Sequence, residues 1–206
     1  ADGPVYALAV SGSTVFAGGQ FSRIGRQPRG NVAALQIGTG DAVAGWNPGA
    51  DKTVFAMALA DGKVYVGGEF ERIGGVTRQQ IAAVAEASGA VTAWDPAADN
   101  AVKALAVSGN TVYAGGFFEN IGRSARRYVA ALNSGTGNAT AWNPNADSGV
   151  TALALGEGVV YAGGQFTRIG SQPRNRIAAL GLSGNGAATV WNPNANGAVN
   201  ALAVAG

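Results

Sequence analysis

Short apolar runs alternate with small residues along this chain and are separated by turns. The first, Val5-Tyr6-Ala7-Leu8-Ala9-Val10, sets Ala7 and Ala9 on one side and Tyr6, Leu8 and Val10 on the other. It returns at 54–59, 102–107, 150–155 and, a fifth time, at 199–204. Alternation with a period of two predicts strands, and apolar residues on both faces predict strands covered on both sides. A small face meeting a large one lets neighbouring sheets interdigitate.

A Ser-Gly or Asp-Gly turn then leads into a second run over 14–21, which contains Val15-Phe16-Ala17-Gly18-Gly19. That motif recurs from Val64, Val112 and Val160, at steps of 49, 48 and 48 residues. The Gly-Gly pair inside a strand pattern predicts a bulge or a close backbone approach. A loop over 22–31, a third run over 32–35 and a Gly-rich turn follow. A fourth run ends in Trp-Asn-Pro or Trp-Asp-Pro, where proline stops the ladder. Trp46, Trp94, Trp142 and Trp191 keep the same beat. Helical periodicity is absent.

A period in the forties built from four short strands is the signature of a propeller blade. The sequence therefore predicts an all-β propeller array with four-stranded antiparallel blades over about 5–53, 54–101, 102–149 and 150–198. The whole chain, 1–206, reads as one array, with an extra first strand at 199–204. That surplus strand predicts either two chains closing an eight-blade ring or a piece of a longer array, because open sheets leave hydrophobic edges.

The residues also resemble a known family. Asp61-Gly62-Lys63-Val64-Tyr65-Val66-Gly67-Gly68-Glu69-Phe70, Ile73-Gly74-Gly75, Arg78, Ile81-Ala82-Ala83 and Trp94-Asp95-Pro96 are similar to the delta-sixty β-propeller repeat. The resemblance implies a place among large secreted and surface proteins of bacteria. Ala83 and Trp94 stand where that family more often has Arg and Phe. A fainter similarity is to kelch blades, which also carry Gly-Gly after the second strand.

Composition narrows the chemistry. Charged residues are 13% of the chain, about half the usual share. The net charge is only +2, which gives nucleic-acid binding no support. With no Cys and no His, disulfides, Ser-His-Asp and Cys-His catalysis and the usual zinc sites are all excluded. Glu69, Glu71 and Glu119 lie near loop entrances but form no recognisable glycosidase pair, and the acidic links lack the spacing of a calcium loop. The expectation is a non-enzymatic chain with no cofactor, no metal and no membrane span.

All eleven arginines fall in or beside the loops between second and third strands. Arg29, Arg78, Arg126 and Arg174 recur at one position, as expected for groups that pair with Asp51, Asp99 and Asp147 in the inter-repeat links or cap nearby carbonyls. Asn196 stands where a fourth such acid would fall. Arg123 and Arg127 break the pattern, and with Tyr128 beside them they suit an anion-binding face. Phe117-Phe118 adds aromatics where other repeats have Gln20, Glu69 and Gln165 before the phenylalanine. Phe117, Phe118, Arg123, Arg127 and Tyr128 are thus the candidate binding residues. The tryptophans are expected between blades, each indole N–H bonded to backbone. The functional expectation is an extracellular or cell-surface module for protein–protein interaction or structural display. The alternative is a lectin with repeated glycan sites, so the partner is a protein or a glycan.

Overall fold

The computed structural model describes residues 1–205, and among them there are strands and turns but no helix. Two compact units are formed, the first spanning Ala1–Ala97 and the second beginning at Ala98. Each holds two of the repeats.

In every repeat the first strand (Val5–Ser11, Val54–Ala60, Val102–Ser108, Val150–Gly156) pairs antiparallel with the second (Thr14–Gly19, Lys63–Gly68, Thr111–Gly116, Val159–Gly164). The second pairs in turn with a third (Val32–Gln36, Ile81–Ala85, Val129–Asn133, Ile177–Gly181). The middle strand is covered on both edges and both faces, which is why its apolar run shows no polar side.

Each first strand carries a bulge near its start, for example between Val102 and Ala104. The bulge turns the preceding carbonyl onto the end of the second strand, where Ala101 O accepts from Phe117 N at 2.9 Å. The Gly-Gly pair sits under this arrangement. A Cβ on the second glycine, Gly116, would lie 2.2 Å from Ala101 O. A Cβ on the first, Gly115, would lie 2.8 Å from Val150 Cγ1 in the next repeat. One glycine admits its own sheet's backbone and the other admits the neighbouring sheet.

The connection from second to third strand is itself structured. It holds a hairpin of two-residue strands, Arg23–Ile24 with Gln27–Pro28, and likewise Arg72–Ile73 with Val76–Thr77, Asn120–Ile121 with Ser124–Ala125, and Arg168–Ile169 with Gln172–Pro173. Both tip residues are left-handed, with φ of 57° at Gly25 and 62° at Arg26, as a two-residue type I′ turn demands.

Two expectations are corrected here. The sheets are three-stranded rather than four-stranded. The fourth segment is reduced to single bridges, Leu35 to Ala42, Val84 to Val91, Leu132 to Ala139 and Leu180 to Ala188. Val43, Thr92, Thr140 and Thr189 still donate to the third strand, at Ala34, Ala83, Ala131 and Ala179 O, but the neighbouring donors are spent elsewhere. Ala42, Ala139 and Ala188 give their N–H groups to the hairpin-tip glycine carbonyls, and the Trp94 and Trp142 amides bond to the Thr92 and Thr140 hydroxyls. The extra strand at 199–204 is also not formed. Every first strand pairs with the second strand that follows it, and among the described residues none follows Val204.

The core of each unit runs between successive sheets. In the first unit Phe16, Trp46, Val54, Val66, Phe70 and Ile73 are buried together; in the second, Tyr113, Trp142, Val150, Phe166, Ile169 and Leu180 are.

Candidate functional site

The polar residues that recur in every repeat form one device. Asp51 Oδ1 accepts from the backbone N–H groups of Glu71 and Arg72 at 2.9 and 3.1 Å, and the Asp51 N–H donates to Arg72 O at 3.1 Å. Asp99 does the same with Glu119 and Asn120, and Asp147 with Thr167 and Arg168. Asp2 repeats it with Ser22 and Arg23. The sequence reading missed Asp2, although it stands 49 residues before Asp51 and so keeps the beat. Asn196, on the next beat, is exposed. Each aspartate clasps a link to the hairpin that follows it.

Hydrogen bonds to the charged form hold the carboxyls of Asp2, Asp99 and Asp147 acidic. At Asp2 the Ser22 hydroxyl and then the Arg23 N–H bring the pKa from 3.8 to about 2. At Asp147 burial acts upward, but the Thr167 hydroxyl and the Arg168 and Thr167 amides outweigh it and hold the carboxyl below its ordinary value. Asp99 is lowered in the same manner, through Asn120 and Glu119. A carboxyl more acidic in the folded chain than in the unfolded one adds stability above the unfolded pKa and loses it as pH falls through the folded value. Urea midpoints should therefore hold above about pH 4 and drop progressively toward pH 2. Asp147→Ala should flatten part of that drop, and an unchanged acid limb would show that the clasp contributes nothing.

The recurring arginines cap carbonyls. Arg78 donates to Thr77 O at 2.9 Å and Thr92 O at 2.8 Å. Arg126 bridges Ala125 O and Thr140 O, Arg29 bridges Pro28 O and Val43 O, and Arg174 bridges Pro173 O and Thr189 O. Each fork ties the base of a hairpin to the fourth segment of its repeat, a geometry that an ammonium cannot copy. The pairing expected with Asp51, Asp99 and Asp147 is not what these forks make, since those carboxylates are turned onto backbone amides. Among the described residues, Arg78 is the one of these four arginines that lies near an acid, Asp95, at 3.7 Å.

The five candidate binding residues separate in space. Phe118 is fully buried, as are its counterparts Phe70 and Phe166, so it is a core residue and not a contact residue. Its phenyl ring recurs in all four repeats because it fills one core position. Arg123 sits at a hairpin tip with φ 62° and donates to Asn138 Oδ1 at 2.7 Å. The tip folds back to the turn before the fourth segment, where Gly122 O accepts from Ala139 N. Arg123 is thereby carried away from the loop mouth, although it is close in sequence. Arg127 is exposed. Only Phe117 and Tyr128 converge, in an open concavity of about 560 Å³ that Asp99, Asn100 and Glu119 also line. Its charged groups are carboxylates, which does not suit the anion-binding face expected from sequence.

Even here packing takes a share. The Phe117 ring lies against Gly149, where a Cβ would come 2.4 Å from Cε1, and the Lys103 ammonium is 5.9 Å from its centroid. Tyr128 is held left-handed at φ 67°, the position that Asn31 occupies in the first repeat. Asn31 satisfies this turn with its own side chain, accepting from Phe21 N and donating to Ala50 O. A tyrosine there has no such bond to offer.

Trp46 and Trp142 donate their indole N–H groups to the next repeat, to Ala85 O at 3.3 Å and Gly181 O at 2.8 Å. Trp94 is buried and meets Tyr65 edge-on at 5.0 Å. Trp191 departs from the expectation: it is 41% exposed, against 2% for Trp46. Among the described residues no group of three His, Cys, Asp or Glu side chains is placed to hold a metal ion. Glu71 is engaged by Lys52 at 2.6 Å. No helix among the described residues is long and apolar enough to cross a membrane.

Comparison with known proteins agrees on the fold. A family model described as a domain of unknown function (DUF5122) beta-propeller matches residues 59–82. No curated protein matches. The computationally designed Ika4 protein is similar in structure, with a TM-score of 0.59 at 18% identity over 89% of this chain and 94% of that one. The WD40 beta propeller domain of Doa1 gives 0.62 at 12% identity over 96% and 56%. The RRP9 WD40 repeats give 0.58 at 14% over 87% and 52%. The chain thus spans about half the length of the WD40 chains it matches, and its sheets follow the propeller pattern.

Proposed function

We propose that this chain is a non-enzymatic interaction or display module working outside the cell or at its surface. In this reading its four repeats are blades of one propeller array, kin to the delta-sixty repeat of bacterial surface proteins, and two chains close a ring or the chain belongs to a longer array. One observation carries the interaction role. The polar groups that recur in every repeat are consumed by backbone: the aspartates by hairpin amides and the arginines by carbonyls. What is left to distinguish the repeats is exposed and differs between them. The concavity of Asp99, Asn100, Phe117, Glu119 and Tyr128 is where aromatic surface and carboxylates meet. An aromatic wall beside carboxylates favours a partner protein that presents a cationic side chain.

The test returns the third repeat to the residues of the first. Phe117→Gln and Tyr128→Asn, combined, restore Gln20 and Asn31 at the same positions and should leave the fold intact. Partners captured from a native cell surface by the parent chain should bind one to one and lose at least tenfold affinity in the double variant. Equal affinity would overturn the assignment of this site. A glycan array that instead saturates the chain at several equivalent sites would favour the lectin alternative.

A further inference from the structure

The internal junctions of this molecule state what each face of a repeat binds. In the first unit, Trp46 of the first repeat enters a seat on the second. The seat consists of the carbonyl that ends the third strand, Ala85 O, and of Gly89, whose Cβ would come 3.3 Å from the indole. Alongside, Val54 meets Gly18, and Met57 and Leu59 pack against the shared core. The second unit repeats the junction: Trp142 reaches Gly181 O, Gly186 lies under the indole, Val150 meets Gly115, and Leu153 and Leu155 close the side.

Both halves of this junction also stand unfilled. The first repeat has an empty seat. Gln36 ends its third strand as Ala85 and Gly181 end theirs, and its carbonyl already accepts from Gly40 N, as Ala85 O does from Gly89 N. Because Ala85 O takes the indole as a second donor, Gln36 O has the same capacity. A Cβ at Gly40 meets nothing within 4 Å, in contrast to Gly89 and Gly186. Beside it Leu8 and Val10 are 64% and 59% exposed, where Met57 and Leu59 are half-buried. The fourth repeat has an unplaced plug. Trp191 keeps its edge-on contact with Tyr161 at 5.1 Å, yet it lies open beside a groove of about 320 Å³ lined with Ile177, Leu202 and Val204.

We propose that these two faces join copies of this chain head to tail, with Trp191 of one copy seated on Gln36 and Gly40 of the next. The occupant is a second copy because the same chain carries both halves, and because the contact continues an interface built twice within it. It rests on the reading of the repeats as blades of one array, and names the partner that reading left open. The segment from Val199 bears on the contact. Val199 lies on Gly163 as Val54 lies on Gly18, so it holds the place that Val5 of the incoming copy takes. It is anchored without a strand ladder, by Val199 N to Gly164 O and by Thr151 Oγ1 to Val199 O, whereas Val5–Ser11 is fully paired. The tail is the element that yields.

A contact between unlike faces predicts an outcome that symmetric association cannot give. Sedimentation equilibrium of the 206-residue chain should show a dimer, or a larger species that grows with concentration. Leu8→Asp and Trp191→Ala, both at exposed positions, should each lower the mass to that of a monomer. Mixing the two variants should restore a dimer, since each keeps the face the other lacks. Val199→Ser, which loosens the placeholder, should tighten association several-fold. A monomeric parent, two single variants that still associate, or a mixture that stays monomeric would each overturn the contact. Circular dichroism of each variant guards against unfolding. A folded, monomeric parent that still binds its partner through the third repeat would sink the head-to-tail contact and leave the interaction module standing.

Discussion

Trp142→Ala should cost the second unit about 3–5 kcal/mol of stability, the usual cost of truncating a buried large aromatic. The indole is 3% exposed, its N–H reaches Gly181 O at 2.8 Å, and Tyr113 meets its ring at 5.2 Å with an interplanar angle of 78°. Its removal opens a cavity between two sheets and leaves a carbonyl short of a donor. The backbone on both sides is fixed by ladders, so the gap cannot close. Trp191→Ala is the internal control, at the same place in the repeat and with the same aromatic neighbour but 41% exposed. In dilute solution its urea midpoint should fall far less. Equal losses at the two positions would mean that the repeat-to-repeat seat contributes little, and the account of the core would fail.

Much of this fold was legible because each repeat confirms the next. Alternation located the first three strands within a residue or two, and the Gly-Gly pair marked a close approach that the structure resolves into two distinct contacts. What the sequence hid was hydrogen-bond accounting. The run before each tryptophan has the composition of a strand and keeps a donor in the ladder, but the hairpin tip and a threonine hydroxyl take the donors on either side of it. The hairpin itself had a signal, the two-residue turn after each recurring isoleucine, which needs left-handed backbone at both positions.

The candidate site was less legible, for a related reason. Phe117, Phe118, Arg123, Arg127 and Tyr128 are near neighbours in sequence, and a loop was expected to hold them together. A folded hairpin instead sends Arg123 to Asn138, the ladder beneath sends Phe118 inward, and Phe117 and Tyr128 remain. Asp2 was passed over although it keeps the repeat's beat, because its role as an amide acceptor has no compositional signature. Exposure of Trp191 could not be read from its register, which is that of its buried counterparts.

The second glycine of each pair supports the most severe of the small substitutions. At Gly116 the backbone is not left-handed, so an alanine is acceptable in conformation; what excludes it is space. The added Cβ would lie 2.2 Å from Ala101 O and 3.0 Å from Val102 Cα. Both obstacles are backbone, and no rotamer change relieves them. Ala101 O is held in place by Phe117 N, and the bulge between Val102 and Ala104 fixes the direction from which it arrives. Relief requires the first strand to slide against the second, which would break the register that seats Val102 in the core. Overpacking of a well-packed site costs about 1–3 kcal/mol, and a backbone clash belongs at or beyond the top of that range. Gly116→Ala should therefore lose about 3 kcal/mol or more, on the scale of losing a core tryptophan. Gly38→Ala is the matched control: it lies in a turn, with nothing within 4 Å of the new methyl group and no left-handed backbone. There the lower entropy of the unfolded chain should leave stability unchanged or raise it by up to about 1 kcal/mol. Urea denaturation of both variants decides the matter, and a Gly116→Ala chain as stable as its Gly38→Ala counterpart would show that the bulge and the glycine pair do not set the strand register.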